Sequence, residues 1–264
     1  IETHVIEFAP MLMAEQLDQM GGEQLRRKIE SMGVRVHTSK NTLEIVQEGV
    51  EARKTMRFAD GSELEVDFIV FSTGIRPRDK LATQCGLDVA PRGGIVINDS
   101  CQTSDPDIYA IGECASWNNR VFGLVAPGYK MAQVAVDHIL GSENAFEGAD
   151  LSAKLKLLGV DVGGIGDAHG RTPGARSYVY LDESKEIYKR LIVSEDNKTL
   201  LGAVLVGDTS DYGNLLQLVL NAIELPENPD SLILPAHSGS GKPSIGVDKL
   251  PDSAQICSCF DVTK

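Results

Sequence analysis

Basic residues are scarce in this chain: 25 Lys and Arg stand against 38 Asp and Glu, leaving a formal charge of −13. Such a surface repels a phosphate backbone, so a nucleic-acid partner is not expected. Cysteine is sparse as well, five in 264 residues, too few for a disulfide framework. The odd count, with a close Cys257/Cys259 pair, points to a reducing compartment, and the expected location is the cytoplasm. No apolar run approaches the roughly 18 residues that span a bilayer, and no charged-then-apolar leader opens the chain, so no membrane partner is expected. The histidines His4, His37, His138, His169 and His237 are scattered, without H-x-x-x-H or H-E-x-x-H spacing, which argues against zinc. G-x-S-x-G and Walker sequences are missing too, which removes support for hydrolase and NTPase chemistry.

What is present is the composition of a globular protein, 42% hydrophobic and 24% charged, which excludes disordered, collagen-like and coiled-coil classes. The length allows one large domain or two smaller ones. Ile1 is not an initiator, and Thr3–Phe8 reads as a strand entered at once. A cut from a longer polypeptide is therefore expected, because natural termini are usually loose and polar.

Leu17, Leu25, Ile29 and Met32 follow at near-helical spacing, with Gly33 placed to end the helix. Val34/Val36, Leu43/Ile45 and Met56/Phe58 alternate with polar neighbours, and Asp60-Gly61 marks a hairpin before Leu64/Val66. Phe68–Phe71 is apolar on successive residues, which predicts a strand covered on both faces. Beyond Gly74, Gly93-Gly94 precedes the alternating Ile95/Ile97, and Ile108–Ile111 predicts another buried strand running into Gly112. Pro127 is expected to open an apolar helix that stops at Gly141. Three β-rich runs, Ser177–Leu181, Ile187–Val193 and Leu200–Val206, precede a helical pattern through Leu215–Ile223. Residues 236–254 are rich in Gly, Ser and Pro and read as a linker.

Glu7 ends the opening strand. An acid at that place in a dinucleotide-binding domain holds the adenosine ribose, about 20 residues after a Gly-rich turn; taken by itself, a solvated strand-end carboxylate explains it better. A 2′-phosphate beside Glu7 would meet like charge, and no Arg follows closely to accept it, so NADH is expected over NADPH. Thr73-Gly74 allows a tight backbone turn against a cofactor, or a plain left-handed strand exit. The most specific stretch is Thr103-Ser-Asp-Pro-Asp-Ile-Tyr-Ala-Ile-Gly-Glu-Cys-Ala115. There Gly112 permits close approach and Glu113 can accept a hydrogen bond from a polyol hydroxyl. Cys257 and Cys259 could give two thiolates to an iron–sulfur cluster, which needs four ligands. Cys85, Cys101 and Cys114 form no redox spacing and read as small core residues.

Taken together, these segments resemble the two-dinucleotide-domain flavoprotein reductases, the FAD/pyridine-nucleotide family. Val5-Ile-Glu7 looks like the end of the second NAD-domain strand, and Ser72-Thr-Gly-Ile-Arg-Pro77 like the A-T-G-x-x-P return to the FAD domain. Thr103–Ala115 looks like the T-S-x-x-x-I-Y-A-x-G-D segment, with Glu113 where that family usually has Asp. Gly123–Tyr129, which contains Pro127, resembles the helix start facing the flavin's pyrimidine end. The resemblance narrows to the large subunits of NAD(P)H-dependent, ammonia-forming nitrite reductases through Lys154–Asp161, Tyr188–Leu191 and Leu201–Asp208. Ile256–Val262 looks like the opening of the [2Fe–2S] domain that follows in them.

The fold class this implies is α/β: an incomplete two-dinucleotide-binding-domain reductase fold with parallel sheets and a β-meander, plus a small α+β C-terminal domain. The expected units are 1–73 (NAD-binding part), 74–142 (FAD-binding part), 143–235 (C-terminal domain), 236–254 (linker) and 255–264 (start of a [2Fe–2S] domain). Cofactor contacts are expected from Glu7, Thr73, Gly74, Gly112, Glu113 and Pro127, and no residue is expected to act as acid, base or nucleophile. In the intact protein the resemblance implies hydride passing from NADH to FAD, then single electrons through [2Fe–2S] and [4Fe–4S] centres to a sirohaem that reduces nitrite. Cys257 and Cys259 would be cluster ligands there. It also implies a small-subunit partner and allows a homodimer. The segment alone, lacking both Gly-rich phosphate turns, is expected to retain no FAD and to be inactive. Two other readings remain: a reductase serving a separate rubredoxin or ferredoxin, and a non-catalytic module in which 143–235 makes a dimer contact.

Overall fold

The computed structural model describes residues 1–47, 49, 53–235, 250–257 and 262–264. Along the chain come β1 (Thr3–Ile6), α1 (Gln19–Ser31), β2 (Val34–His37), β3 (Thr42–Gln47), β4 (Lys54–Phe58) and β5 (Glu63–Val66). Next are α2 (Lys80–Gln84), β6 (Ile95–Ile97), β7 (Ala115–Trp117) and α3 (Val125–Ile139). The remainder is β8 (Ala153–Leu157), β9 (Val160–Gly166), β10 (Arg176–Asp182), β11 (Ile187–Val193), β12 (Leu200–Val206), α4 (Tyr212–Leu220), β13 (Gln255–Cys257) and β14 (Val262–Thr263). The chain divides into two compact units, 1–70 with 152–256 and 263–264, and 71–151 with 257–262.

In the first unit β1 and β2 pair in parallel, Thr3 opposite Val34 and Ile6 opposite His37. β3, β4 and β5 form an antiparallel meander. The largest sheet is antiparallel, in the order β10-β11-β12-β9-β8. Because side chains alternate across a strand, β12 sends Val204 and Val206 to one face and Ala203 and Leu205 to the other, and all four are buried. Helix α1 lays Leu25 and Ile29, one turn apart, on the first face against Val160, Val162 and Tyr188. Helix α4 covers the second with Leu215 and Leu218 against Ile165, Leu191 and Leu205. Residues 1–70 and 152–235, which fall in the separate sequence segments 1–73 and 143–235, thus meet in this unit. Asp18 caps α1 by accepting from the Gly21 N–H at 3.0 Å, and Gly33 follows the helix at φ +86°.

In the second unit β6 and β7 pair in parallel. α3 buries Met131, Val134 and Ala135 against Ile97, Ala115 and Phe122.

Two expected strands do not form. Phe68, Val70 and Phe71 stand 79%, 75% and 70% exposed in an irregular stretch. A strand exists only where neighbours take its backbone hydrogen bonds, and among the described residues none pairs with 68–71. Ile108–Ile111 likewise makes only an isolated bridge, Tyr109 to Gln102, and leaves Ile108 and Ile111 exposed. Pro127 is the third residue of α3 rather than its first. Most of the predicted linker, together with Cys259, lies outside the described residues.

Candidate functional site

Five of the expected contact residues belong to the second unit. Gly112 opens a 3-10 turn (Gly112–Cys114) at φ +75°, a conformation that L side chains rarely adopt. Its N–H points to the Met131 sulfur at 3.2 Å. A Cβ on Gly128 would come 3.3 Å from the Gly112 Cα, so these two glycines let the turn lie backbone to backbone on the first turn of α3. Glu113, next along, is exposed. The cap residue Leu124 makes no side-chain cap bond, so the leading N–H groups of α3 have no side chain of that residue to serve them, and the helix dipole favours an anion there. Pro127 lies buried in that turn. Ile75 reaches the same end of the helix: a Cβ on Gly123 would meet its Cδ1 at 3.1 Å. That contact draws the Thr73-Gly74 turn, exposed and with Gly74 at φ +87°, toward the start of α3.

The arrangement suits an elongated ligand with hydroxyl groups and an anionic end. Glu113 offers carboxylate acceptors to a polyol, Gly112 puts no Cβ into the open space beside it, and the helix start receives negative charge. The residues present therefore fit the ribityl and pyrimidine end of FAD.

Glu7 belongs to the first unit. The turns after β1 and β2 clasp it: Glu7 N–H donates to the His37 carbonyl at 2.8 Å, Lys40 N–H to the Glu7 carbonyl at 3.0 Å, and Ser39 N–H to Ala9 at 2.9 Å. One carboxylate oxygen accepts from the Ala9 N–H at 2.7 Å. The side chain is therefore part of a turn, and it retains acceptor capacity, since a carboxylate has about four lone-pair sites.

The cysteines Cys85, Cys101 and Cys114 are free thiols. Burial pushes the Cys101 thiol up to about 11, which keeps it protonated and inert as a nucleophile at neutral pH. Cys257 ends β13. Among the described residues no group of three or more His, Cys, Asp or Glu could hold a metal ion, and no helix is long and apolar enough to cross a membrane. Three charged or polar clusters had no signature in the sequence: His4 with His37, Asp18 with Tyr188 and Arg190, and Lys189 with Asp208 and Asp211. Each joins residues too far apart in sequence for any spacing rule to find.

Residues 1–138 match the model of the pyridine nucleotide-disulphide oxidoreductase family, and residues 152–223 that of the rubredoxin NAD+ reductase C-terminal domain. The chain is 56% identical over its whole length to a nitrite reductase [NAD(P)H] large subunit of Klebsiella oxytoca, of which it covers 27%. It is 35% identical, again over its whole length, to an assimilatory nitrate reductase electron transfer subunit of Bacillus subtilis, of which it covers 33%. The chain thus spans about a quarter to a third of these relatives. Among solved structures, a ferredoxin reductase from Rhodopseudomonas palustris superposes with a TM-score of 0.68 at 21% identity, covering 88% of this chain and 56% of the other. A NAD-dependent persulfide reductase from A. fulgidus gives 0.67 at 23%, covering 84% and 45%. With more than half of its length matched by the family model and this fold shared, the chain belongs to the pyridine nucleotide-disulphide oxidoreductase family.

Proposed function

We propose that this chain is the part of a cytoplasmic NADH-dependent nitrite reductase large subunit that receives electrons from NADH and holds FAD. The observation that carries the reading is the 56% identity to such a subunit along all 264 residues, which takes in both matched segments in order. FAD, when bound, accepts hydride from NADH and releases electrons singly. The chain's own residues bind and orient. Glu7 accepts hydrogen bonds from the ribose hydroxyls of NADH through the carboxylate oxygen not given to Ala9. Glu113 accepts from the ribityl chain, Gly112 and Gly74 keep Cβ atoms out of the cofactor's path, and the start of α3, with Pro127 buried in it, faces the pyrimidine edge. No side chain of this chain need move a proton for that chemistry, which bound FAD would supply. The [2Fe–2S] ligands Cys257 and Cys259, the [4Fe–4S] centre, the sirohaem, the small subunit and any homodimer belong to the assembled enzyme under this reading.

The test uses the protein at its native length. Anaerobic NADH oxidation should depend on nitrite and form ammonium, with three NADH consumed for each nitrite in a six-electron reduction. A second reading, a reductase for a separate carrier protein, draws support from the match of 152–223 to a rubredoxin reductase domain. NADH oxidation driven by oxidised rubredoxin or ferredoxin, and indifferent to nitrite, would select it and overturn the first. The 264-residue segment purified alone should show no stoichiometric flavin band between about 300 and 550 nm, because the Gly-rich turns that hold two pyrophosphates are missing from it.

A further inference from the structure

The parallel pair β1–β2 has two unlike faces. On one, Val5, Val34 and Val36 pack toward α1. The other carries His4 and His37, whose rings stack with centroids 5.2 Å apart and planes 4° from parallel. Their facing nitrogens, His4 Nδ1 and His37 Nε2, are 2.9 Å apart. A contact that short between two imidazoles needs one proton between them: one nitrogen donates and the other must be bare. The pair therefore exists only while at least one ring is neutral.

His37 is also the residue whose carbonyl accepts the Glu7 N–H, and β1–β2 pairing ends at His37 opposite Ile6. The side-chain bond to His4 thus pins the strand end that carries the clasp around Glu7. We infer that His37 is a positioning residue for Glu7, and that full protonation of the His4–His37 pair weakens nucleotide binding at the adenosine ribose. This rests on the reading of Glu7 as the ribose carboxylate.

The charges around the pair make double protonation unfavourable. Burial first, then the charges of His4, Lys40, Arg35 and Arg26, hold the His37 imidazole below its ordinary value. Glu2 is the acid in contact, 3.3 Å from His4 Nε2, but it is shared with Arg35 at 3.0 Å. Across the groove that His4 lines, Arg53, Glu65 and Asp67 are engaged with one another. Lys40 is held by Asp60. A second proton on the pair therefore meets the charges of Lys40, Arg35 and Arg26, which Asp60, Glu2 and Glu30 offset only in part, and the rings must part.

The experiment measures NADH binding to the protein at its native length between about pH 7.5 and about pH 5.5. The wild type should lose about fivefold or more in affinity across that range. His4→Phe keeps a ring on the stack and removes the shared proton, so its affinity should change by less than about twofold, and His37→Gln should flatten the profile likewise. Reduced nicotinamide mononucleotide, which has no adenosine ribose, should show no such loss on the wild type. A pH-independent wild type, variants that follow the wild-type profile, or an equal loss with the mononucleotide would each overturn the inference. Absence of NADH binding at the higher pH would overturn the ribose reading of Glu7 itself, and the inference with it.

Discussion

Asp18 and Arg190, 172 positions apart in sequence, meet at 2.8 Å where α1 begins. The same Asp18 oxygen accepts from the Tyr188 hydroxyl at 2.7 Å, while its other oxygen caps the Gly21 N–H. One carboxylate thus starts the helix and ties it to the sheet beneath. Burial, reinforced by Asp18, holds the Tyr188 phenol protonated well above its ordinary range. Asp18→Ala removes a cap worth about 1 kcal/mol, one buried hydrogen bond and one part-buried one to a charged partner, so a loss of about 3 kcal/mol is expected. Tyr188→Phe should cost about 1 kcal/mol, and the double variant less than the sum. Urea unfolding of the chain checks this as a lowered midpoint at unchanged slope.

Lys189 is buried, and the carboxylates of Asp208 and Asp211 each lie 2.6 Å from its ammonium. Burial alone would lower the lysine, but the two acids outweigh it and raise it. Burial alone would raise Asp208, but Lys189 and the Ser210 bonds outweigh that and lower it. The acid's contribution to stability is therefore present above about pH 4, its unfolded value, and is lost as pH falls from there toward the depressed folded value. The lysine's contribution is present below about pH 10.4 and is lost as pH rises toward the elevated folded value. Lys189→Met should cost about 3 kcal/mol at neutral pH, the low end for a broken buried pair because Asp208 is partly exposed. It should also remove the lysine's share of the alkaline loss of stability and so shrink that limb. Thermal unfolding across pH would show both, and an unchanged alkaline limb would refute the assignment.

Glycine in β9 follows the same logic of close approach. A Cβ at Gly164 would stand 2.5 Å from the Gln16 carbonyl oxygen, and one at Gly163 would stand 2.8 Å from the Tyr212 ring. Gly213, inside α4, has nothing within 4 Å. Gly164→Ala should therefore destabilise the chain by about 2–3 kcal/mol through overpacking against backbone. Gly213→Ala should stabilise it by about 0.5–1 kcal/mol through helix propensity. Paired chemical denaturation of the two variants tests the contrast, and equal effects would contradict it.

These glycines explain what could be read from the chain and what could not. Helix α1, the meander and strands β10–β12 announce themselves, because their apolar residues recur at the period of a helix or a strand, even where, as at Leu43 and Ile45 of β3, the side chains stay exposed. β9 does not: its Val-Asp-Val-Gly-Gly-Ile-Gly run lacks alternation, and the reason for its glycines lies in Gln16 and Tyr212, far away in sequence. Phe68–Phe71 and Ile108–Ile111 were legible as apolar but not as unpaired, since a run of hydrophobic residues says nothing of whether neighbouring strands are there to meet it. Of the candidate site, Glu7, Gly74 and Gly112-Glu113 could be found from local spacing. That Gly112 rests on Gly128, or that His37 clasps Glu7, depends on tertiary contact and could not.

Glu7 also sets which nucleotide is accepted if it holds the ribose. A 2′-phosphate placed about 4 Å from its carboxylate is repelled by about 4 kcal/mol at an effective dielectric near 20. Salt and partial exposure reduce that, so a preference for NADH over NADPH of about 10–100-fold is expected. Lys40, whose backbone N–H donates to the Glu7 carbonyl, does not relieve it, because its ammonium is engaged with Asp60 and Ser62. Glu7→Gln keeps an acceptor for the Ala9 N–H, turns an amide donor toward the ribose hydroxyls in place of the second carboxylate oxygen, and removes the charge. Its NADH affinity should fall only a few-fold, about what one charge-assisted hydrogen bond contributes beyond a neutral one, while NADPH binding improves. Glu7→Ala should lose both the turn bond and the ribose bond, weakening NADH by about tenfold. Equilibrium binding of the two nucleotides to the three proteins at native length separates charge from geometry. If Glu7→Gln leaves the NADH to NADPH ratio where the wild type has it, the carboxylate serves only its own turn.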